Sequence, residues 1–588
     1  MFKLALAATL FVCGAESAAL AEQLPTRHLH KEVLSREARR LNALPTTQAL
    51  QLEMGMSLRN EAELDRLMEK LYDPQSPLFH KFLSSKEFAD RFAPTEEQYE
   101  AALHFAVANG MTVTETLPSR MLFSVTTDVA TAEKAFHITM SSYQHTSEPR
   151  SFFSPDQEPT LDQSLGIRHI GGLDNFSIPH PASLIVGDSS DAGAATGGSG
   201  PSGYFLGSDI RAAYYTAGLA KGATALTGSG QSVALLELGG YYTPDLTAYF
   251  TNTKQTNGVT VTNVLVGSGA MCTAACNDVE QVLDIEQAIS MAPGLSSVRV
   301  YIGTSSPLND SAIFAKMASD NLSKQLACSW GWSPADPTTD DPYFKQFATQ
   351  GQNLFVAAGD NGAYTTTSVN VYPADDIYVT AVGGTVLTTA GAGGAWSSET
   401  AWTKSGGGIS PNKIAIPTWQ PTAVITTANK ASKTYRNIPD VAMEANTDNY
   451  VCYSTSVTSG STTVWVPVCT GATVTAKVGT ASVSVTGTSY GGTSYAAPRW
   501  AAFLALVNQQ AIADKYATVG FINPALYLIG EGKTAITGYT YAGAFHDITS
   551  GNNGTYSTET GYDLVTGWGS PIGYGTYSLI AQLLGYLK

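Results

Sequence analysis

Ser232-Val233-Ala234-Leu235-Leu236-Glu237-Leu238 is a short run with apolar residues at five of its seven positions. Such a run reads as a strand with both faces buried. Outward from it the same pattern repeats. Residues 278–292 have helical spacing and stop at Pro293-Gly294, and 297–302 read as a strand. Residues 311–319 and 341–350 read as helices, and 325–330, 354–358 and 378–382 as strands. Apolar strands alternating with helices predict a parallel sheet covered on both faces. Between about 386 and 491 the chain is rich in Thr, Ser, Gly and Val, which predicts hairpins or long surface loops. From Ser494 to Gln509 a long apolar helix is expected.

The chain has 588 residues, too many for one ordinary domain. Residues 1–203 and 204–588 each carry 41 charged side chains, so the longer second part has about half the charge density of the first. Few ionisable groups mean little added self-repulsion in acid. The net charge of −16, with no basic stripe, argues against a nucleic-acid partner. Residues 1–21 read as a signal peptide: Lys3, an apolar run over 4–12, and Ala19-Leu20-Ala21 before cleavage. That run is too short to span a membrane. An exported, monomeric protein is expected. Val12 before Cys13 is a poor fit to a lipoprotein signal.

Five cysteines follow. Cys272 with Cys276, and Cys452 with Cys469 around a hairpin-like stretch, could each be a disulfide in an exported protein. Cys272-x-x-x-Cys276 could instead be half a metal site, but no second Cys/His pair completes it. Cys328 has apolar neighbours and reads as a buried thiol.

Residues 22–186 hold a charged α+β domain. Helical periodicity is read over 50–72 and 85–109, with Thr95-Glu96-Glu97 as a helix start, a strand over 121–127 and a helix over 129–136. A Gly/Ser/Ala-rich run over 187–203 reads as a flexible, cleavable linker. Charged domain, linker and an exported hydrolase-like domain at 204–588 together suggest a zymogen.

The chemistry centres on Gly492-Thr493-Ser494-Tyr495-Ala496-Ala497-Pro498. Gly491-Gly492 permits close backbone approach, and Ser494 falls at a helix N-terminus, where free N–H groups can hold a developing oxyanion. Pro498 is placed in the first turn, which tolerates its missing N–H. A serine nucleophile needs a base. After Tyr204 the chain has one histidine, His546, so a carboxylate is the expected base and acid the expected medium. In Asp278-Val279-Glu280-Gln281-Val282-Leu283-Asp284, Glu280 and Asp284 stand one helical turn apart on one face, with apolar flanks that imply burial. Two such carboxyls titrate as a pair. Asp360 ends the 354–358 strand, where α/β sheets gather their sites. Protonated, it could donate to an oxyanion. Near the C-terminus, Asp547 and Asp563 frame a Gly-rich loop suited to a hard cation such as Ca²⁺.

Together these stretches resemble the sedolisin family of serine-carboxyl peptidases, especially its kumamolisin-like members. The nucleophile motif matches at Ser494, the Glu-x-x-x-Asp helix at Glu280 and Asp284, and the oxyanion aspartate at Asp360. Ser329-Trp330-Gly331 and Arg436-Asn437-Ile438-Pro439-Asp440-Val441-Ala442 match further signatures, and Pro77-Leu78-Phe79-His80-Lys81-Phe82-Leu83 resembles the family's pro-domain. The resemblance implies an α/β, subtilisin-like doubly wound parallel sheet preceded by an α+β pro-domain. It implies catalytic Ser494, Glu280, Asp284 and Asp360. It also implies one Ca²⁺ on Asp547, Ile548 (backbone oxygen), Gly561 (backbone oxygen) and Asp563; a further family ligand, a glycine carbonyl, falls on Glu559 here. The implied function is a secreted, acid-acting endopeptidase on protein or peptide substrates, with the pro-domain as intramolecular inhibitor. Glu237 would extend the carboxylate network.

Three other readings compete. A tripeptidyl peptidase of the same family would share every motif. A neutral subtilisin-type peptidase would need His546 as base. A non-enzymatic, β-rich secreted binding protein would give Glu280, Asp284 and Ser494 no reason to converge. Asp375-Asp376 hints at a taste for basic side chains.

Overall fold

The computed structural model describes residues 22–587 except 25, 182–184, 187–196, 256, 421–423 and 535–536. The signal-peptide reading of 1–21, and most of the linker reading, lie outside the described residues.

The central sheet contains β1 (Ser232–Leu238), β2 (Thr260–Leu265), β3 (Ser297–Gly303), β4 (Gln325–Cys328), β5 (Asn353–Ala357), β6 (Thr380–Thr389), β7 (Trp396–Ala401) and β8 (Val441–Glu444). Its order is β2-β3-β1-β4-β5-β6-β7, with β8 also paired to β6. All pairings are parallel except β6 with β7. Order reverses around β1, and in such sheets a site forms beyond the C-terminal strand ends next to that reversal.

Side chains of β1 explain why the sheet is covered twice. Val233 and Leu235 enter one core with Val282, Leu283 and Ile285 of α1 (Val279–Met291). Ala234 and Leu236 enter a second core with Phe314 of α2 (Asp310–Asp320) and Phe344 and Phe347 of α3 (Pro337–Thr349). The long helix α4 (Thr493–Ala513) packs on the first face through Trp500 and Phe503.

The N-terminal domain carries a four-stranded antiparallel sheet of Thr112–Thr116, Leu122–Asp128, Ala49–Met56 and Ile167–Gly171. Its Leu64, Leu67, Phe88 and Phe92 share the second core with α2 and α3, so the two domains are joined by apolar burial. Glu53 contributes a hydrogen-bond acceptor to the Ala312 backbone in the first turn of α2.

One helical reading needs correction, and a second divides at the start that Thr95-Glu96-Glu97 marks. Residues 50–72 are not one helix: Ala49–Met56 is a strand, and a helix spans Glu61–Leu71. Leu50, Leu52, Met54 and Met56 are all buried, a period of two that the charged helix after them obscured. Residues 85–109 split into helices Ser85–Phe92 and Glu96–Ala108 at Ala93-Pro94-Thr95, with Thr95 capping the second. Residues 197–203 are not a free linker either. Ser199 N–H donates to Asp209 Oδ2 at 2.9 Å, and Thr389 Oγ1 donates to the Gly197 carbonyl at 3.2 Å. Both cysteine pairs form disulfides, Cys272–Cys276 and Cys452–Cys469, the latter closing the hairpin Cys452–Ser459/Thr462–Cys469, and Cys328 is a buried free thiol.

Candidate active site

α1 is buried along nearly its whole length, so its carboxylates have no solvent to face. Asp278, just before it, fixes its start by accepting from Tyr242 N–H at 2.8 Å and Ser454 N–H at 2.9 Å. Glu280 and Asp284 follow on one side of the helix, both almost fully buried. Ser494, the second residue of α4, is completely buried. Its hydroxyl faces the Glu280 carboxylate closely enough to favour the charged form, yet the two do not close a hydrogen bond of ordinary geometry. Catalytic hydrogen bonds are often long before substrate binds.

Asp284 Oδ1 accepts from Ser329 Oγ at 2.9 Å, and its carboxyl also hydrogen-bonds that of Glu237 at the end of β1. Two carboxyls so joined share a proton. Glu237 Oε2 in turn accepts from the Trp330 indole N–H at 3.0 Å. Burial is the first cause pushing Glu280 and Asp284 well above the usual carboxylate range, and Glu237 up to about 8. The Glu237 charge adds to the rise at both helix residues; the Ser494 and Ser329 hydroxyls oppose it at Glu280.

Asp360 lies just beyond β5. Its Oδ1 accepts from the Thr493 backbone N–H at 2.7 Å and from Thr493 Oγ1 at 2.8 Å. Its Oδ2 is buried with no partner among the described residues. Burial pushes Asp360 up to about 8 despite the Thr493 hydrogen bonds. Buried in this way, Asp360 is held toward its neutral form.

The chain leaving the N-terminal domain meets this site on two edges. His180–Pro181 pairs antiparallel with Gly331 and Trp330, and Ile185–Val186 pairs antiparallel with Gly491 and Tyr490. Trp330 adjoins Ser329, and Gly491 precedes Ser494 by three residues.

His546 lies elsewhere. Its ring stacks on Trp396 of β7 with centroids 3.9 Å apart, and burial lowers its pKa to about 4. Beside it, Asp547 Oδ1 accepts from Tyr541 OH at 2.9 Å and Gly561 N–H at 3.1 Å. Asp563 Oδ1 accepts from the Val565 and Thr566 N–H groups, both at 2.8 Å. Gly561 has φ +81°, a left-handed turn that glycine allows. These two carboxyls have no cationic partner among the described ion pairs, and burial raises both. Two uncompensated carboxyls are oxygen donors of the kind a hard cation takes, although no group of three or more His, Cys, Asp or Glu side chains gathers among the described residues. Asp375 and Asp376 do not offer an open acidic subsite. Both are buried; Asp375 Oδ2 accepts from Ser410 Oγ and Asn412 Nδ2, and Asp376 hydrogen-bonds Asp341.

The pro-kumamolisin activation domain family matches residues 36–176. The chain is 26% identical to xanthomonalisin of Xanthomonas sp. (strain T-22), over 90% of this chain and 65% of that protein. It is 27% identical to sedolisin of Pseudomonas sp. (strain 101), over 95% and 90%, and 27% identical to kumamolisin of Bacillus sp. (strain MN-32), over 92% and 95%. Over nine tenths or more of its length the chain is similar to peptidases of the sedolisin family, and its N-terminal part matches their activation domain. These relatives and the activation domain indicate a serine-type peptidase built as a zymogen. The chain spans about two thirds of the length of xanthomonalisin. No helix among its described residues is long and apolar enough to cross a membrane.

Sequence reading left two members of this sedolisin-type site without a role. In the sequence Thr493 stands only as part of the serine motif; its two hydrogen bonds to Asp360 join residues 133 positions apart. Ser329 stands only in a signature; its contact with Asp284 spans 45 positions. Neither contact leaves a local spacing to detect.

Proposed function

We propose that the protein is a secreted, acid-acting serine-carboxyl endopeptidase that processes itself from a zymogen. The observation that carries this reading is the buried Ser494 hydroxyl facing Glu280, with Asp360, one oxygen unpartnered, held against the neighbouring Thr493.

In the proposed reaction Glu280 takes the Ser494 proton as Ser494 attacks the peptide carbonyl. Asp284, sharing a proton with Glu237, holds Glu280 in place. Asp360, protonated, donates to the oxyanion together with the Ser494 backbone N–H. Glu280 then returns the proton to the leaving amine, and water repeats the sequence on the acyl-enzyme. Glu280 must be ionised to start, while Asp360 must stay neutral. Burial is the largest cause of the raised Glu280 pKa, so freeing the cleft and admitting water lowers it into the acid range. Burial raises Asp360 as well, so the same opening lowers it, and the scheme works over the acid range in which Glu280 is ionised and Asp360 is still protonated.

The strand pairings at His180–Pro181 and Ile185–Val186 lay the pro-segment along both edges of the cleft, as a peptide substrate would lie. First processing is therefore proposed between Pro181 and Ile185, upstream of the 187–203 run. The test is the full-length chain with Ser494→Ala, brought to about pH 4. It should stay intact and cleave no added protein, while the parent chain shortens. Processing by the Ser494→Ala chain would overturn the reading. Mass spectrometry of digested peptides separates internal cuts from N-terminal tripeptides, the mark of a tripeptidyl peptidase.

The side chains of Asp547 and Asp563 and the backbone oxygens of Ile548 and Gly561 are proposed to hold one Ca²⁺, whose charge would offset the two carboxylates. Chelation should lower the melting temperature by several degrees, restored by Ca²⁺ and not by Mg²⁺. An unchanged melt would remove the ion from the scheme.

A further inference from the structure

Ser329 connects the substrate edge to the acid–base pair. It is fully buried between β4 and the Trp330–Gly331 edge that pairs with the pro-segment. Three acceptors surround its hydroxyl. Oγ lies 2.9 Å from Asp284 Oδ1 and 3.5 Å from the Ser494 carbonyl oxygen, and it faces the Glu280 carboxyl closely enough to oppose its raised pKa without closing a hydrogen bond of ordinary geometry. The Ser494 carbonyl is available for a definite reason. Its helical partner would be the N–H four residues on, and that residue is Pro498, which has none. Since α4 begins at Thr493, Pro498 falls in the second turn, not the first, and its ring removes a hydrogen bond the helix would otherwise make.

A serine hydroxyl has one proton to donate. With three acceptors in reach, it goes to the one that bears most charge. Resting on the proposed roles of Glu280 and Asp284, we propose that Ser329 is a positioning residue for proton transfer. Its hydroxyl turns between Asp284 and Glu280 and donates to whichever is ionised, steadying Glu280 before it takes the Ser494 proton. As Glu280 gains that proton, the Ser329 O–H returns to Asp284. No bond other than hydrogen bonds changes at Ser329. Because Ser329 is covalently joined to Trp330, seating a peptide on the Trp330–Gly331 edge also sets the hydroxyl's position.

The test uses the self-processed enzyme on an internally quenched peptide, comparing Ser329→Ala and Ser329→Cys with the parent. Ser329→Ala should lower kcat by about 10- to 100-fold with KM within about twofold, the loss of one hydrogen bond to a charged group. Removing a donor to the carboxylate raises the Glu280 pKa, so the acidic limb of the kcat profile should move to higher pH. Ser329→Cys, a weaker donor of similar size, should fall between parent and Ala. An unmoved acidic limb, or a loss confined to KM, would overturn the role, as would Ala and Cys variants of equal activity. If either variant fails to process itself, maturation in trans by the parent enzyme, which is then removed, supplies the processed variant for the same profile. An active Ser494→Ala enzyme would sink the whole site reading. An inactive one beside an unaffected Ser329→Ala would sink only the inference about Ser329.

Discussion

Asp360 shows how one residue can be held neutral without being isolated. Thr493 gives both its N–H and its hydroxyl to Oδ1, which leaves Oδ2 to carry the proton and aim it elsewhere. Burial raises this acid to about 8 in the closed zymogen, and water in the open cleft lowers it, so the donor should be lost as pH rises toward neutrality. The processed enzyme should therefore lose kcat on the alkaline side, and Asp360→Asn, whose amide keeps a donor, should lose that limb while retaining reduced activity across pH. A pH profile of kcat for the two proteins checks this; an alkaline limb unchanged in Asp360→Asn would assign it to another group. Thr493→Val should lower kcat by about tenfold, the equivalent of one hydrogen bond orienting the acid.

At the scale of elements, the sheet was legible because its strands are apolar on both faces, as Val233/Leu235 and Ala234/Leu236 illustrate. α1 was legible for the opposite reason: Glu280 and Asp284 sit among Val282, Leu283 and Ile285, where a surface helix would carry no such apolar flanks. The strand Ala49–Met56 was missed because its alternation is short and runs into the amphipathic helix Glu61–Leu71. Long-range hydrogen bonds such as Thr493 to Asp360 have no local signature at all.

Docking of the N-terminal domain also depends on particular contacts. Phe82 lies against Gly351 and Gly520, two positive-φ glycines where an added Cβ would meet its ring at 2.4 Å. Next to it, Leu83 N–H donates to the Thr349 carbonyl at 2.9 Å and Tyr72 OH to the Ala348 carbonyl at 2.6 Å. Phe82→Ala should weaken docking by about 2 kcal/mol, the burial worth of such a ring. The zymogen should then process faster and at higher pH. A time course of intact chain at several pH values reads this out, and parent-like kinetics would show that Phe82 does not hold the domain.

At the scale of the whole molecule, the buried carboxyls bind protons that the unfolded chain would release. Glu237 and Asp360 are raised by burial to about 8, and Asp278 to about 7. For groups with raised pKa values, the stabilising contribution is complete below the unfolded value and is lost as pH climbs through the folded one. Between about pH 4 and pH 8 the folded state holds more protons, so stability falls with rising pH by about 1.4 kcal/mol per unit for each extra proton. Calorimetry should show a lower melting temperature at about pH 7.5 than at about pH 4.5. A melting temperature that rises over that interval would mean these groups are ionised in the folded protein.

Local burial and global charge thus point the same way. The part of the chain after residue 203 carries few ionisable groups for its length, and Glu280, Asp284 and Asp360 are gathered around Ser494 and its neighbour Thr493. One measurement decides whether Glu280 takes the place of the histidine that is missing here. It is kcat/KM against pH for the processed enzyme and for Glu280→Gln, the latter matured in trans. Activity should peak in acid and fall to background by about pH 7, with Glu280→Gln reduced at least about a thousandfold at every pH. An optimum near neutrality, or substantial activity in Glu280→Gln, would contradict a carboxylate base.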